Sequence, residues 1–562
     1  MRYYPGSKAL LVLFMSVCCC YGSSSDDLSY YTSDLPFEMP QIQAPQFPDH
    51  TENIEDHGAV GDGQVLNTGA FRRAIEACVR AGGGRVVVPP GIWLTGPIQL
   101  QSNINLHLEQ GALIQFSSRF EDYPLMRSTW EGLEEVRCTP PIYGANLENI
   151  AVTGSGIIDG AGEAWRPVKK FKTTDPQWRG LLGSGGAVSK DGRVWWPSKQ
   201  ALNGAKTVRR LNAKGDADLQ EYAAAREYLR PVLINLVNCR NVLLDGPTFQ
   251  NSPAWNIHPL MCENLIIRNL TVLNPWYSQN GDGLDLESCR NVLVYNCSFD
   301  VGDDAICLKS GRNEYGRRRG KPSENIAIAD CIVYHGHGGF TIGSEMSGGV
   351  RNIDVRRCTF LGTDVGLRFK STRGRGGVVE NIHIRDIYMK NIPTEAIRFN
   401  MFYDSKPPIP ELDADKLAVD KRRPEVAVGE ETPRFRHIYM DNIICRGAER
   451  AVFLQGLPEM AISNVELSNV IISATEGMMC VDADEIALRN VRIIPEKGTV
   501  LKFLNSQNVT IEDPVIPEAG TLFLAVYGGK SGNIRVQGSV GTLPSELIKI
   551  GKEVSADALI LE

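Results

Sequence analysis

Arg240-Asn241-Val242-Leu243, Glu263-Asn264-Leu265-Ile266, Arg290-Asn291-Val292-Leu293 and Glu324-Asn325-Ile326-Ala327 are versions of one short phrase: a charged residue, an asparagine, then apolar residues. Arg351-Asn352-Ile353, Glu380-Asn381-Ile382, Ser463-Asn464-Val465, Gln507-Asn508-Val509 and Gly532-Asn533-Ile534 continue it. Neighbouring clear copies lie mostly about 23 to 34 residues apart, the period range of a solenoid. Each copy is short, β-branched and alternating, and none carries an amphipathic helix. Short strands repeated at this period wind into a parallel β-helix, each coil resting on the last. An asparagine at one fixed turn position suits a left-handed residue and a side-chain ladder. The expected fold class is all-β.

A second register runs inside the coils. Gly283-Leu284-Asp285-Leu286-Glu287-Ser288 aligns with Ala305-Ile306-Cys307-Leu308-Lys309-Ser310, and then with Gly339-Phe340-Thr341-Ile342-Gly343-Ser344. Gly366-Leu367-Arg368-Phe369-Lys370-Ser371 and Ala396-Ile397-Arg398-Phe399-Asn400 follow, and Trp255-Asn256-Ile257-His258 precedes. Leu, Ile and Phe fall on the inward positions. The residues between them point out, because a strand places neighbours on opposite faces. Arg368 and Lys370 therefore share an outer face with Asp285, Glu287 and Lys309. Coils stack about 4.8 Å apart, so residues about 30 apart in sequence become neighbours.

The rest of the chain is read around this solenoid. Asn67-Thr68 starts a capping helix, with Phe71, Ile75, Cys78 and Val79 on one face and Gly82-Gly83-Gly84 at its end. Such a cap covers the open first coil. Val86-Val87-Val88 and Ile104-Asn105-Leu106-His107-Leu108 read as the first strands. Residues 1–22 read as an export signal: Arg2 and Lys8 precede a short apolar run from Ala9 to Cys20, too short to span a bilayer. Cys18, Cys19 and Cys20 also raise a lipoprotein form with a lipid anchor. Residues 23–47, rich in Pro, Ser and Asp, read as a linker. Residues 48–562 read as a single β-helix domain, with insertions at about 163–230 and 404–433 whose length suggests function. No later stretch is long and apolar enough for a transmembrane helix. The product is thus expected to be secreted or periplasmic, or an outer-membrane lipoprotein, and monomeric.

The net charge of −7 and pI near 5.8 argue against a nucleic-acid partner, which wants a basic face. A local basic cleft for an acidic sugar polymer stays open. Cys297, Cys331 and Cys358 recur at one phase of the repeat, six residues after an asparagine of the ladder. That pattern fits a column of small buried side chains and mostly free thiols better than a bridge framework.

Chemistry enters just before and within the aligned strands. Asn280-Gly281-Asp282-Gly283, Gly302-Asp303-Asp304, Gly336-His337-Gly338 and Arg368-Phe369-Lys370 arrive on four successive coils at nearly one spot. Taken singly each is bland: Asp-Gly is a turn signal and strand Arg or Lys is usually solvated. Their shared phase is what matters. Glycosidic cleavage needs one carboxylic acid for the leaving oxygen and another carboxylate for a water. Crowded carboxylates cannot all ionise, so one can serve as an acid. The Arg–Lys pair suits a substrate carboxylate. No cofactor or metal is called for.

Together these four elements resemble glycoside hydrolase family 28, the polygalacturonase family, with the match running over roughly residues 50 to 540. Gly281 stands where that family usually has Thr. Gly58-Ala59-Val60-Gly61-Asp62-Gly63 also resembles the start of many pectin-active β-helices. The resemblance implies a right-handed parallel β-helix of the pectin-lyase type and inverting hydrolysis of α-1,4-galacturonosyl links in pectin. It implies Asp303 as general acid, Asp282 and Asp304 as activators of water, and His337 as tuner of the acid. Arg368 and Lys370 would bind the galacturonate carboxylate, and Tyr403 would complete the site. Asn280, Lys309 and Arg312 are further candidates for substrate contact. The two insertions, and the cations of Gly311–Gly320, suggest an exo-acting enzyme of bacterial type with a cleft blocked at one end. Rhamnogalacturonan or xylogalacturonan hydrolases of the same family, a pectate lyase using a calcium-binding acidic cluster, and a non-catalytic polysaccharide-binding β-helix remain alternatives. Rhamnogalacturonan hydrolases commonly lack the Gly-His-Gly and Arg-x-Lys elements.

Overall fold

A computed structural model describes residues 28–403, 424–515, 521–538 and 543–562. The chain winds as a right-handed parallel β-helix, with strands pairing to the coil before and the coil after. One sheet stacks Ile104–Leu108, Glu148–Gly154, Arg240–Asp245, Glu263–Arg268, Arg290–Tyr295 and Ser323–Ala329. A second stacks Ile157–Asp159, Thr248–Gln250, Thr271–Leu273, Ser298–Asp300 and Ile332–His335. The third, which carries the site, stacks Ile234–Val237, Ile257–Leu260, Leu284–Glu287, Ile306–Lys309, Gly338–Ile342 and Val365–Lys370. Its register sets Ile257, Leu284, Ile306, Phe340, Leu367 and Ile397 in one inward row, residue for residue as the sequence alignment requires.

The asparagine ladder is continuous. From Asn103 through Asn149, Asn241, Asn264, Asn291, Asn325 and Asn352 to Asn381, each side-chain amide donates to the preceding oxygen at 2.6–3.2 Å. All eight residues hold φ between 53° and 61°, the left-handed region that asparagine tolerates. The described cysteines are buried and free, and Cys297, Cys331 and Cys358 form one column.

Several features depart from the sequence reading. The first strand is Thr51–Asn53, which pairs with Gly84–Val88 ahead of the expected starting strands. The capping helix spans Thr68–Arg80 and buries Ala70, Phe71, Ala74, Ile75 and Cys78. Val79 lies off that face and is 40% exposed. Asn67 does not cap by its side chain. It instead bonds Val60, Val65 and Leu94, pinning the turn that begins at Gly58.

Residues 28–47 are not a free linker. Leu28, Tyr31, Leu35, Met39, Ile42 and Phe47 lie along the first sheet, over outward-facing Ala151, Leu243, Ile266, Leu293, Tyr295 and Ala327. Tyr31 stacks on Tyr295, and Arg356 and Arg385 bond the Tyr31 and Asp34 carbonyls. That sheet's outer face is apolar and needs a cover; the polar composition of the segment masked its apolar spacing.

The 163–230 insertion is a folded lobe. It holds helices Asp175–Gly183 and Lys199–Lys214, a small antiparallel sheet, and a core around Trp165, Val208, Leu211 and Tyr222. A hairpin of Leu125–Trp130 and Leu133–Cys138 packs with this lobe. Residues 404–423 of the second insertion, and the expected signal with Cys18, Cys19 and Cys20, lie outside the described residues. No helix among the described residues is long and apolar enough to cross a membrane.

Candidate active site

Three coils deliver their motifs at the N-terminal ends of third-sheet strands, and the fourth carries Arg368 and Lys370 within its strand Val365–Lys370. Asp282 and Asp304 stand two residues before Leu284 and Ile306, which pair. Asp303 and His337 are neighbours on adjoining coils: the His337 N–H donates to the Asp303 carbonyl at 2.8 Å, and His337 Nδ1 lies 3.0 Å from Asp303 Oδ1. One oxygen from each of Asp282, Asp303 and Asp304 lies within 4.8 Å of the others.

Their surroundings separate the three carboxyls. Asp304 is fully buried, with Arg368 donating to Oδ1 at 2.9 Å and Lys370 to Oδ2 at 2.6 Å. Burial pushes its carboxyl up, but Lys370 and Arg368 overwhelm that and hold it well below the usual carboxylate range. Asp282 is pushed well above that range by burial, then by the neighbouring Asp285 and Asp303. Its Oδ1 has no hydrogen-bond partner. Asp303 is raised by burial, yet the hydrogen bond from His337 and the positive charge around it together outweigh this and leave it below its ordinary value. Its side chain is 17% exposed, against 1% for Asp304, so Asp303 is the carboxyl that opens to the cleft. Of the three, Asp282 is the carboxyl whose surroundings most favour the protonated form.

The remaining expected residues divide. Tyr403 is at the site, its ring beneath Lys370 at 4.9 Å and Arg368 at 5.8 Å. Lys370 and Arg368 stand beside the trio, but their contact there is to Asp304. Lys309 is buried between Asp285 at 3.4 Å and Glu345 at 3.3 Å, which removes it from reach of substrate. Asn280 has φ 55° and its Oδ1 accepts from buried Arg230 at 2.9 Å, so it shapes the turn. Arg312 meets Glu131 of the hairpin at 3.2 Å, Arg319 bonds Glu287, and Arg317 bonds the Gly374 and Arg375 carbonyls. Arg312, Arg317 and Arg319 thus bind protein groups, and the segment is the helix Asn313–Arg319 with Arg312 at its start and Arg318 exposed, rather than an open loop.

Two residues escaped the sequence reading. Lys172 of the lobe places Nζ 3.3 Å from His337 Nε2. Ser278 is fully buried, and a Cβ added at Gly281 would lie 1.9 Å from its Oγ. Ser278 fills the space a larger residue at position 281 would need, which accounts for the glycine there.

Three clustered carboxylates also invite a calcium reading. Calcium wants 6–8 oxygens at about 2.3–2.6 Å. Both oxygens of Asp304 are already taken by cations, so this donor set does not fit the ion.

Comparison with known proteins places the chain. The model of glycosyl hydrolases family 28 matches residues 181–412. The crystal structure of a hyperthermoactive exopolygalacturonase from Thermotoga maritima is similar at 34% identity, over 81% of this chain and 94% of that one, with a TM-score of 0.67. The chain belongs to glycosyl hydrolases family 28. Other relatives of this family 28 chain include a probable polygalacturonase from Vitis vinifera, 31% identical over 61% of each chain. An exo-poly-α-D-galacturonosidase from Dickeya chrysanthemi is 30% identical over 62% of this chain. The matches span 61% and 57% of the length of those two relatives. The family 28 model covers the three carboxylates, His337, Arg368, Lys370 and Tyr403, together with part of the lobe.

Proposed function

We propose that this protein hydrolyses α-1,4-galacturonosyl links of pectic polysaccharide outside the cell, with inversion, from a chain end. The observation that carries the reading is the trio of Asp282, Asp303 and Asp304 within 4.8 Å, one open to the cleft, one buried with a partnerless Oδ1 and one held by two cations. On substrate binding, the proton held by Asp282 passes to Asp303. Asp303 is then the general acid and gives that proton to the leaving glycosidic oxygen. Asp282, now anionic, accepts a proton from the attacking water, which Asp304 orients. The cycle ends with Asp282 protonated, as it began. An oxocarbenium-like transition state asks for oriented water more than for a strong base. Arg368 gives one Nη1 hydrogen to Asp304, and the rest of its fork, with Tyr403, faces the galacturonate carboxylate.

Exo action is supported by the cover over the third sheet. The hairpin tip reaches across to the Asn313–Arg319 helix: Arg312 N–H donates to the Gly132 carbonyl at 3.3 Å and Tyr315 to Glu134 at 3.2 Å. Beneath lie Trp255, stacked on Trp130, and the buried His258, Asp285, Glu287 and Lys309. A polymer cannot continue over that stretch. The likeness to proteins named as exo-enzymes points the same way.

One observation favours a second reading. Carboxyl separations near 5–5.5 Å usually accompany retention, and inversion usually needs about 6.5–9.5 Å. The tight trio would, on that rule alone, suit a covalent intermediate. Against it, Asp304 is locked by two cations and Asp282 is the proton store, which leaves no nucleophile facing the acid. Proton NMR of the first product anomer on polygalacturonate decides this: the inverted anomer is expected, and the retained one refutes the mechanism. Chromatography on polygalacturonate and on rhamnogalacturonan, with viscosity followed against reducing ends, tests the rest. Small products at slowly falling viscosity are expected from polygalacturonate; a sharp early viscosity drop would mean internal cleavage.

A further inference from the structure

We infer that Lys172, carried in by the lobe, is a positioning residue that fixes the proton of His337 on Nδ1. This rests on the hydrolytic reading above only for its consequence; the geometry stands by itself. Lys172 is buried, and its ammonium has three hydrogens. It has three acceptors: the Trp276 carbonyl at 3.2 Å, the Gly302 carbonyl at 3.3 Å and His337 Nε2 at 3.3 Å. Its Nζ also stands over the Trp276 ring at 5.7 Å. Nothing else on the imidazole can accept, so Nε2 meets Lys172 through its lone pair and the ring proton sits on Nδ1. That proton points at Asp303 Oδ1, 3.0 Å away.

The alternative protonation is opposed by the same geometry. A proton on Nε2 would face the ammonium, and a doubly protonated ring would set two positive charges 3.3 Å apart. Asp364, 3.7 Å from Nε2 and half exposed, works the other way by favouring an imidazolium. Burial lowers the Lys172 ammonium from its ordinary value; Asp303 and Asp364 support its charge, and Lys169 opposes it. Asp303, 3.0 Å from Nδ1, favours an imidazolium too, but it accepts the Nδ1 proton in either state. At Nε2 itself the lysine is closer than Asp364 and less exposed, so it sets which ring nitrogen carries the proton.

The consequence for catalysis follows directly. A neutral ring donating through Nδ1 orients one oxygen of Asp303 and leaves the other to take and give the proton. An imidazolium would hold Asp303 as an ion pair and make it a poor acid. Lys172 thus keeps His337 a hydrogen-bond donor rather than a counter-ion, as carboxylates and carbonyls do for other histidines by bonding the second ring nitrogen. The lobe is in this sense part of the active site.

The test uses the full chain labelled with ring-15N histidine and free of substrate, with the His337 signals assigned through His337→Gln. In the wild type near neutral pH, His337 is expected to show protonated Nδ1 and a hydrogen-bonded, unprotonated Nε2. Lys172→Met should move the ring toward protonation at Nε2, and to the imidazolium at higher pH than in the wild type. Lys172→Gln, which keeps one donor without charge, should hold the Nδ1 proton. With substrate, kcat of Lys172→Met should fall about tenfold to a hundredfold, most steeply at acid pH, with KM nearly unchanged. Lys172→Arg should recover part of it. Wild-type Nε2 carrying the proton, or Lys172→Met shifts identical to wild type, would overturn the inference. The wild-type spectrum alone decides if the variants do not fold. Absence of activity on any pectic polymer would sink the hydrolytic reading and leave the tautomer result standing.

Discussion

Replacing Lys370 by Met separates two ways a cation can serve this site. The side chain is nearly isosteric, 7% exposed, and loses one hydrogen bond, the 2.6 Å bond to Asp304 Oδ2, along with its charge over the Tyr403 ring. Asp304 keeps only Arg368 at 2.9 Å and remains fully buried. Breaking a buried ion pair on one side costs about 3–5 kcal/mol, because the orphaned charge stays in place. Since Arg368 still partners this carboxylate, the lower end, about 3 kcal/mol, is the figure to expect for stability. A charge-assisted hydrogen bond of about 1.5–3 kcal/mol, if it also holds the water-orienting carboxylate in the transition state, corresponds to about 10–150-fold in kcat. The assay is steady-state hydrolysis of polygalacturonate beside thermal unfolding. We expect a lowered midpoint, kcat down within that range and KM changed by less than about threefold. Lys370→Met combined with Asp304→Asn should recover much of the stability and none of the activity, since the neutral amide needs no second cation. A KM raised tenfold or more at unchanged kcat would refute this reasoning, and would return Lys370 to the direct grip on substrate that the Arg-x-Lys spacing suggests.

Asp303→Asn should lower kcat by about 10²–10⁴-fold with an unfolding midpoint close to wild type, the size of a lost general acid; near wild-type turnover would remove Asp303 from that role. Asp285 is pushed up to about 7, chiefly by burial against the pull of Lys309. Its folded value lies above its unfolded one, so its stabilising contribution is complete below about pH 4 and is lost as pH rises through about 7. Asp285→Asn should therefore gain in unfolding midpoint relative to wild type between pH 5 and pH 8, and a difference that stays flat or shrinks would contradict this. Asn325 donates to Asn291 at 3.1 Å and accepts from Asn352 at 2.9 Å at φ 55°. Asn325→Ala should cost about 1–3 kcal/mol by chemical denaturation and Asn325→Gly less, because only alanine adds left-handed strain; equal losses would mean the ladder bonds alone matter.

What the sequence disclosed depends on where each residue points. Inward positions must be filled by Leu, Ile or Phe at one phase, so the register from Ile257 to Ile397 is readable to the residue. The carboxylate trio is readable for the same reason: phase places Asp282, Asp303, Asp304 and His337 on adjoining coils. Outward positions carry no such constraint, because their environment is set by segments arriving from elsewhere. Lys309 and Arg368 read alike in sequence, yet the first is buried between Asp285 and Glu345 and the second reaches Asp304. Lys172 had no signal at all; a lysine in a lobe reveals its role only once the lobe is folded against His337. Asn280 was marked by its motif, and only the approach of buried Arg230 shows it to be a turn residue.

The segment from Leu28 to Phe47 changes how such a stack comes apart. Adjacent coils touch only each other, so a solenoid with no brace loses order rung by rung from an end, and a partly melted molecule is a low-lying state. Here one strip of chain lies across the rungs of Ala151, Leu243, Ile266, Leu293 and Ala327, and its carbonyls are bonded by Arg356 and Arg385 farther along. Rungs that never meet are thereby yoked. A melting front that reaches the brace must either strip it from all of them or stop, so the middle of the stack, where the three carboxylates sit, opens as a block.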